Sequence, residues 1–156
     1  MSKGRTDVAS KVIRASPHTI WNAFVNPHAW SVWLPPKGMR GRIETFDLRE
    51  SGAYRMELIY DDASHAGKSS AHTDVVEGQF VDLVKNERMI QVVKFKSDDP
   101  LFAGTMTMTW SLESMSGVTK VSIVCENVPL GIRKEDHDIG LRSTLENLAA
   151  FTETPP

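Results

Sequence analysis

An alternation of apolar and polar residues with a period of two dominates the chain after Arg40 and limits the folds open to it. The clearest stretch is TMTMTWSL, residues 105–112, in which every second residue is Met106, Met108, Trp110 or Leu112. Between them stand Thr105, Thr107, Thr109 and Ser111. Since successive side chains of a strand point to opposite faces, this pattern predicts a strand whose methionines and tryptophan face a core.

The same period predicts six consecutive strands joined by short links. Their ranges are 41–49, 53–60, 72–84, 88–96, 104–114 and 118–127. In two of them the residues predicted to face inward are Tyr54, Met56, Leu58, Tyr60, Val121, Ile123 and Cys125. Tight turns such as Ser116-Gly117 favour an antiparallel meander with one face solvated and the other covered.

Helix signals precede this run of strands. After a first strand within residues 6–15, Ser16-Pro17 supplies a capping serine and a proline suited to the first helical position. Asn26-Pro27 repeats that signal, so a second short helix is predicted to end before Pro35. Ala29, Val32 and Trp33 are predicted to share a face of it, with Trp30 pointing elsewhere, at a cavity mouth or on the surface.

A long helix is predicted over residues 134–152 at the end of the chain. Its apolar stripe consists of Leu141, Leu145, Leu148 and Ala149. Gly140 inside it costs about 1 kcal/mol relative to alanine, so we expect it to have a packing reason. A curved sheet gripping one amphipathic helix buries both apolar faces, which gives an α+β fold.

Composition narrows the class of protein. A chain of 156 residues that is 40% hydrophobic is expected to fold as one domain, residues 1–156. Its net charge of −2 and pI of about 6.2 give no basis for nucleic-acid binding. There is no apolar stretch for a membrane span or secretion signal, and the lone Cys125 allows no internal disulfide, which favours a cytoplasmic location.

Four stretches resemble the START-like (SRPBCC) superfamily, and specifically the Aha-type domain of activators of the heat-shock-protein-ninety ATPase. They are ASPHTIWNAFVNPHAWSVWLPP, RESGAYRMEL, EGQFVDLVKNERM and EDHDIGLRSTLENLAAF. In the second, Ser51 stands where that family often has glycine, and Leu141 in the last stands where it usually has tryptophan. The resemblance spans nearly the whole chain and implies a helix-grip fold with a cavity between the sheet and the last helix.

In that fold the inward rows become the candidate walls of the cavity. The candidate ligand-binding residues are Trp33, Tyr54, Met56, Leu58, Met106, Met108, Trp110, His137 and Leu141. The alternative is that these side chains simply fill the core. Trp33 is expected to plug one end of the cleft or to contact ligand as a gate, with entry beside it and the 61–70 loop. Leu141 in place of tryptophan predicts a roomier cavity near Gly140.

Catalytic and metal-binding signals are sparse. Asp136-His137-Asp138 is the one cluster suited to acid–base chemistry, with Asp138 able to orient the His137 ring. Its alternative is a set of residues that favours the helix dipole and forms a polar rim. His65 and His72 flank a polar loop but do not make a zinc ligand set, and Cys125 is predicted to be a core thiol. No catalytic residue, metal or cofactor is therefore assigned.

The sequence is compatible with three functions. The first is binding of an apolar or aromatic small molecule, such as a lipid or polyketide-like compound, in the cavity. The second, implied by the resemblance, is interaction with a chaperone and a part in the stress response. The third is a cyclase- or hydrolase-type enzyme using the same cavity, which ranks below a non-enzymatic role. The sequence leaves open whether the protein is a monomer or a homodimer.

Overall fold

A computed structural model describes residues 4–35, 38–60 and 73–153 of the chain. The strands are β1 (Arg5–Ile13), β2 (Met39–Phe46), β3 (Ala53–Tyr60), β4 (Thr73–Val84), β5 (Arg88–Phe95), β6 (Met106–Met115) and β7 (Val118–Val128). The helices are α1 (Pro17–Phe24), α2 (Pro27–Trp33) and α3 (Lys134–Thr152). This order confirms the α+β helix-grip prediction.

The seven strands form one curved antiparallel sheet in the order β1-β7-β6-β5-β4-β3-β2. Strands β2 to β7 form the predicted meander. The first strand, β1, pairs with the last strand, β7, and this pairing was not predicted from the sequence. Each predicted strand differs from the observed one by at most three residues at an end. Ser51 has a φ of 67°, a left-handed conformation that favours glycine and explains the family's glycine there.

The two short helices begin where their caps predicted. The Ser16 Oγ accepts a hydrogen bond from the Thr19 backbone N–H at 3.1 Å. The Asn26 Oδ1 accepts one from the His28 N–H at 2.9 Å. Proline follows each cap, so both helices start without losing a backbone hydrogen bond.

The predicted orientation of α2 was wrong for two residues. Trp30 is fully buried, and its indole N–H donates to the Phe24 carbonyl at 2.6 Å. Val32 is 65% exposed instead of sharing the buried face with Ala29 and Trp33. The helix lies against β2 and buries one face made of Ala29, Trp30 and Trp33, because residues three and four apart share a side of a helix.

Helix α3 lies across the concave face of the sheet, as predicted. Leu141, Leu145, Leu148 and Ala149 are all buried. Glu135 and Asp136 stand in its first turn, where negative charge favours the helix dipole. No helix in the described part of the chain has the length and apolar character that a membrane crossing requires.

Candidate functional site

A cavity of about 580 Å³ lies between the sheet and the first half of α3. Eight of the nine residues predicted to line it are in its wall: Tyr54, Met56, Leu58, Met106, Met108, Trp110, His137 and Leu141. Alternation along β3 and β6 brings the first six of these to one face, because residues two apart in a strand share a face. The register of β6 agrees with the prediction, since Met106 and Trp110 are buried and Met108 lines the cavity, while Thr107 and Thr109 between them are half-buried and do not line it.

Trp33 is not among the cavity-lining residues. It is fully buried, and its indole N–H donates to the Ala23 carbonyl at 3.0 Å. Its ring centroid lies 5.6 Å from that of Trp110 and 5.8 Å from that of Phe24. Trp33 therefore closes the core behind the cavity wall. The predicted 61–70 entrance loop, with His65, and the neighbouring His72 lie outside the described residues.

Space next to Gly140 forms part of the cavity. A methyl group added there would have no atom of the described residues within 4 Å. The expectation that Gly140 meets a packing need was therefore wrong. The missing side chain leaves open volume beside Leu141, at the position where the resemblance predicted extra room.

The sheet side of the cavity contains a buried polar group. The Tyr54 hydroxyl donates to the Gln91 Oε1 at 2.9 Å, and Gln91 is 3% exposed. Among the described residues, the Gln91 amide nitrogen has the Met89 sulfur as its hydrogen-bond acceptor at 3.7 Å, and a thioether sulfur is a weak acceptor. Gly78 lies under the Tyr54 ring, which a side chain at that position would overlap. Burial raises the pKa of the Tyr54 hydroxyl far above its usual value, so it stays a neutral donor.

A second polar group lies where α3 begins. The Asp7 carboxylate, on β1 and 1% exposed, accepts from the His137 Nδ1 at 2.7 Å. Arg5 donates to the same carboxylate at 2.9 Å and to the Ile132 carbonyl at 2.6 Å. Burial opposes ionisation of Asp7, but the hydrogen bonds from Arg5 and His137 outweigh it and lower its pKa.

Asp7 replaces the partner that the sequence suggested for His137. Asp138 instead pairs with the Lys134 ammonium at 3.0 Å on the outer side of the helix, so its predicted role in orienting the ring was wrong. Asp7 and His137 are 130 positions apart. No local sequence spacing could have linked Asp7 and His137, because β1 and α3 come together only in the folded protein.

The cavity rim adds a phenol–carboxylate pair. The Tyr60 hydroxyl donates to the Asp74 carboxylate at 2.8 Å, and both residues line the cavity. Burial raises the pKa of Tyr60, and the negative charges of Asp74 and Asp136 raise it further. This part of the wall therefore carries hydroxyl and carboxylate groups, in contrast to the methionines of β3 and β6.

Other candidate chemistry does not converge on the cavity. Within the described ranges, no three His, Cys, Asp or Glu side chains are placed to hold a metal ion. Cys125 is buried, as predicted, and burial together with the negative charge of Asp7 raises the pKa of its thiol to about 12. A thiol with that pKa stays protonated at neutral pH and is a poor nucleophile.

A curved antiparallel sheet closed over a long C-terminal helix, with a cavity between them, defines the START-like class of protein. Residues 14–153 match the family described as "Activator of Hsp90 ATPase homolog 1-like protein", and the chain belongs to that family. The family is known for ligand binding and for activation of the Hsp90 ATPase. No curated protein matches the chain.

Solved structures agree with this assignment. A Chromobacterium violaceum protein is similar with 31% identity and a TM-score of 0.85, over 96% of this chain and 98% of that one. An Arthrobacter aurescens protein has 16% identity and a TM-score of 0.77, over 99% and 92%. A Rhizobium leguminosarum protein has 20% identity and a TM-score of 0.72, over 97% of each chain. The last two show the shared fold alone.

Proposed function

We propose that this protein binds a neutral, mainly apolar small molecule in the cavity between the sheet and α3. The observation that supports it most is the cavity of about 580 Å³, which includes the open space beside Gly140, because most pockets that hold small ligands have between about 300 and 1,000 Å³. A core that served packing alone would be filled there, since protein interiors leave few voids larger than a water molecule.

The lining suits an aromatic or aliphatic ligand. Met39, Met56, Met106 and Met108 contribute thioether side chains to the wall. Methionine is unbranched and polarizable, so its side chain can adapt to ligands of different shape at little cost. The few polar groups, at Gln91 and His137, would fix the orientation of the ligand and contribute to its selection.

A blocking substitution tests this proposal. The neutral fluorescent probe N-phenyl-1-naphthylamine should bind the wild type saturably, with a rise in emission as it leaves water. Gly140→Trp places a large ring in the open volume and should weaken binding by about tenfold or more, the effect of losing roughly 1.4 kcal/mol of contact. Gly140→Ala is the matched control and should bind like the wild type. Equal affinity of all three proteins would show that the probe binds elsewhere.

One contact supports a second candidate, acid–base chemistry on the bound molecule. The Asp7 carboxylate lies 2.7 Å from the His137 Nδ1 and accepts a hydrogen bond from it, an arrangement that orients the ring and directs Nε2 to a proton of a bound molecule. In D2O the α-protons of acetophenone should then exchange faster with the wild type than in buffer, and at the buffer rate with His137→Gln. Exchange at the buffer rate with the wild type would leave ligand binding as the function.

A further inference from the structure

The phenol groups of the cavity wall already donate hydrogen bonds within the protein. The Tyr54 hydroxyl donates to the Gln91 Oε1 at 2.9 Å, and the Tyr60 hydroxyl donates to the Asp74 carboxylate at 2.8 Å. All four of these residues line the cavity. A hydroxyl group has a single proton to donate, so neither phenol is left with a donor for a ligand.

Two other donors of the wall are engaged in the same way. The Thr144 hydroxyl donates to the Leu34 carbonyl at 2.9 Å. The Arg133 guanidinium lies 3.4 Å from the Glu135 carboxylate, and both side chains are 74% exposed to solvent. A ligand that could only accept hydrogen bonds would therefore have to compete with a protein acceptor for each of these donors.

His137 offers the cavity a hydrogen-bond acceptor instead. Its Nδ1 lies 2.7 Å from the Asp7 carboxylate, which is fully buried and is not among the described residues that line the cavity. The two nitrogens of an imidazole ring point in nearly opposite directions, so Nε2 faces away from Asp7. His137 itself lines the cavity, so the side of the ring that carries Nε2 is the side that the cavity meets.

The Nε2 atom is accessible and has no partner among the described residues. The His137 side chain is 13% exposed. Its side-chain hydrogen bond is the contact of Nδ1 with Asp7, and Nε2 is not one of the buried side-chain atoms of the described chain that lack a partner. In a neutral imidazole one nitrogen donates and the other accepts, so the donation from Nδ1 to Asp7 makes Nε2 an acceptor.

We infer that the cavity selects ligands that carry a neutral hydroxyl group, an alcohol or a phenol, whose O–H donates to the His137 Nε2. This inference rests on the proposed function, and it names the chemical class of the ligand. The apolar body of such a ligand would lie against Met56, Met106 and Met108, with its hydroxyl at the start of α3. The ligand then supplies the proton that the free acceptor of the wall lacks.

Charge excludes an anionic ligand from the same place. Asp74 and Asp136 line the cavity. Burial raises the pKa of Tyr60, and the negative charges of Asp74 and Asp136 raise it further, which places both carboxylates near the Tyr60 hydroxyl. Among the described wall residues, Arg133 carries the permanent positive charge, and Glu135 offsets it. A carboxylate or phosphate ligand would therefore enter a region of negative potential, whereas a neutral hydroxyl would not be repelled.

Biphenyl-4-ol and 4-methoxybiphenyl form the test pair, because methylation removes the donor and keeps the oxygen and both rings. We expect the wild type at pH 7 to bind biphenyl-4-ol about threefold to tenfold more tightly than the methyl ether, the effect of one neutral hydrogen bond. Biphenyl-4-carboxylate, an anion with the same two rings, should bind about tenfold more weakly than biphenyl-4-ol. Competition with N-phenyl-1-naphthylamine reports all three affinities.

Matched histidine variants localise the effect. His137→Asn keeps an amide N–H that can donate to Asp7 and removes Nε2, so the ratio of the affinities for biphenyl-4-ol and its methyl ether should fall close to one. His137→Phe removes both nitrogens and should give the same ratio even if His137→Asn does not fold. His28→Asn is the matched control, because His28 is exposed on α2 and is not among the cavity-lining residues, so the ratio should keep its wild-type value.

The outcomes separate this inference from the proposed function. Equal affinity of the wild type for biphenyl-4-ol and its methyl ether, with both still displacing N-phenyl-1-naphthylamine, would overturn hydroxyl selection and leave small-molecule binding intact. Binding of biphenyl-4-carboxylate as tight as that of biphenyl-4-ol would overturn it too. A ratio that His28→Asn lowers as much as His137→Asn would also contradict the contact with Nε2. Failure of all three compounds and of N-phenyl-1-naphthylamine to bind the wild type would overturn the proposed function as well.

Discussion

Helix α3 contacts its surroundings in two different ways along its length. Its second half carries Leu145, Leu148 and Ala149, which are buried in the main hydrophobic core. Its first half, from Asp136 to Thr144, borders the cavity. The same helix and the same sheet therefore form a solid interface at one end and a hollow one at the other.

Different forces hold the two halves. In the solid half, Leu145 and Leu148 are buried in the same core as a cluster of rings, with centroids 5.5 to 5.8 Å apart, formed by Phe24, Trp33 and the cavity-wall residue Trp110. Asn147 also ties this half to the chain after α2 by donating to the Pro35 carbonyl at 2.9 Å, and at the boundary between the halves Thr144 donates to the Leu34 carbonyl at 2.9 Å. In the hollow half, the contact of Asp7 with Arg5 and His137 holds the helix instead. The comparison of the two halves indicates that one part of the interface between α3 and the sheet supplies stability, while the other part supplies space for a ligand.

The largest effect is expected in the solid half. Leu145 is 1% exposed in the main core, so Leu145→Ala should lower the free energy of unfolding by about 2–5 kcal/mol through lost burial and a new void. Urea denaturation of the wild type and of Leu145→Ala measures this loss. A loss below about half a kcal/mol, the usual range for surface substitutions, would mean that this half is not solid.

The next largest loss in the free energy of unfolding is expected when the charge of Asp7, at the hollow end of α3, is removed. Asp7→Asn removes a charged acceptor shared by Arg5 and His137, and should cost about 1.5–3 kcal/mol at pH 7. Because the folded pKa of Asp7 lies below its ordinary value of 3.8, its contribution is complete above that pH and is lost as the pH falls through the lower folded value.

Urea denaturation at several pH values tests this charge effect. The difference between wild type and Asp7→Asn should shrink as the pH falls below 3.8 towards pH 2. A difference that persists unchanged at low pH would assign the loss to packing and remove the contrast between the two halves.

A smaller effect is expected for a wall residue of the cavity. Met108 is half-buried and borders open space, so Met108→Ala removes fewer contacts than the substitution at Leu145 and adds to a void already present. We expect a loss of about 1 kcal/mol or less in the same denaturation assay. A loss as large as that of Leu145→Ala would indicate that the cavity wall is packed against something.

The sequence predicted the solid half and the sheet well, because both depend on periodic patterns. The period of two in β6 set its register, and the spacing of Leu141, Leu145 and Leu148 set the buried face of α3. The family resemblance added the cavity and the open space beside Gly140. The prediction failed at α2, where the buried face contains Trp30 together with Ala29 and Trp33 and is turned away from Val32.

The polar groups of the cavity were harder to predict. Asp7 and His137 come together through the pairing of β1 with β7, which no local motif encodes. Gln91 did leave a signal, since in RMIQVVKF it occupies an inward position between Met89 and Val93. A polar residue in an inward row of apolar residues indicates a buried hydrogen-bonding site, and this pattern could have identified Gln91 from the sequence.

Adding bulk to each half of α3 tests the central contrast most directly. Gly140→Leu places a side chain in open space and replaces a poor helix former, so we expect the free energy of unfolding to stay equal or rise by up to about 1 kcal/mol. Ala149→Leu forces the same side chain into the solid half, where Ala149 is 4% exposed, and should cost about 1–3 kcal/mol. Equal losses for the two variants in urea denaturation would contradict a hollow first half.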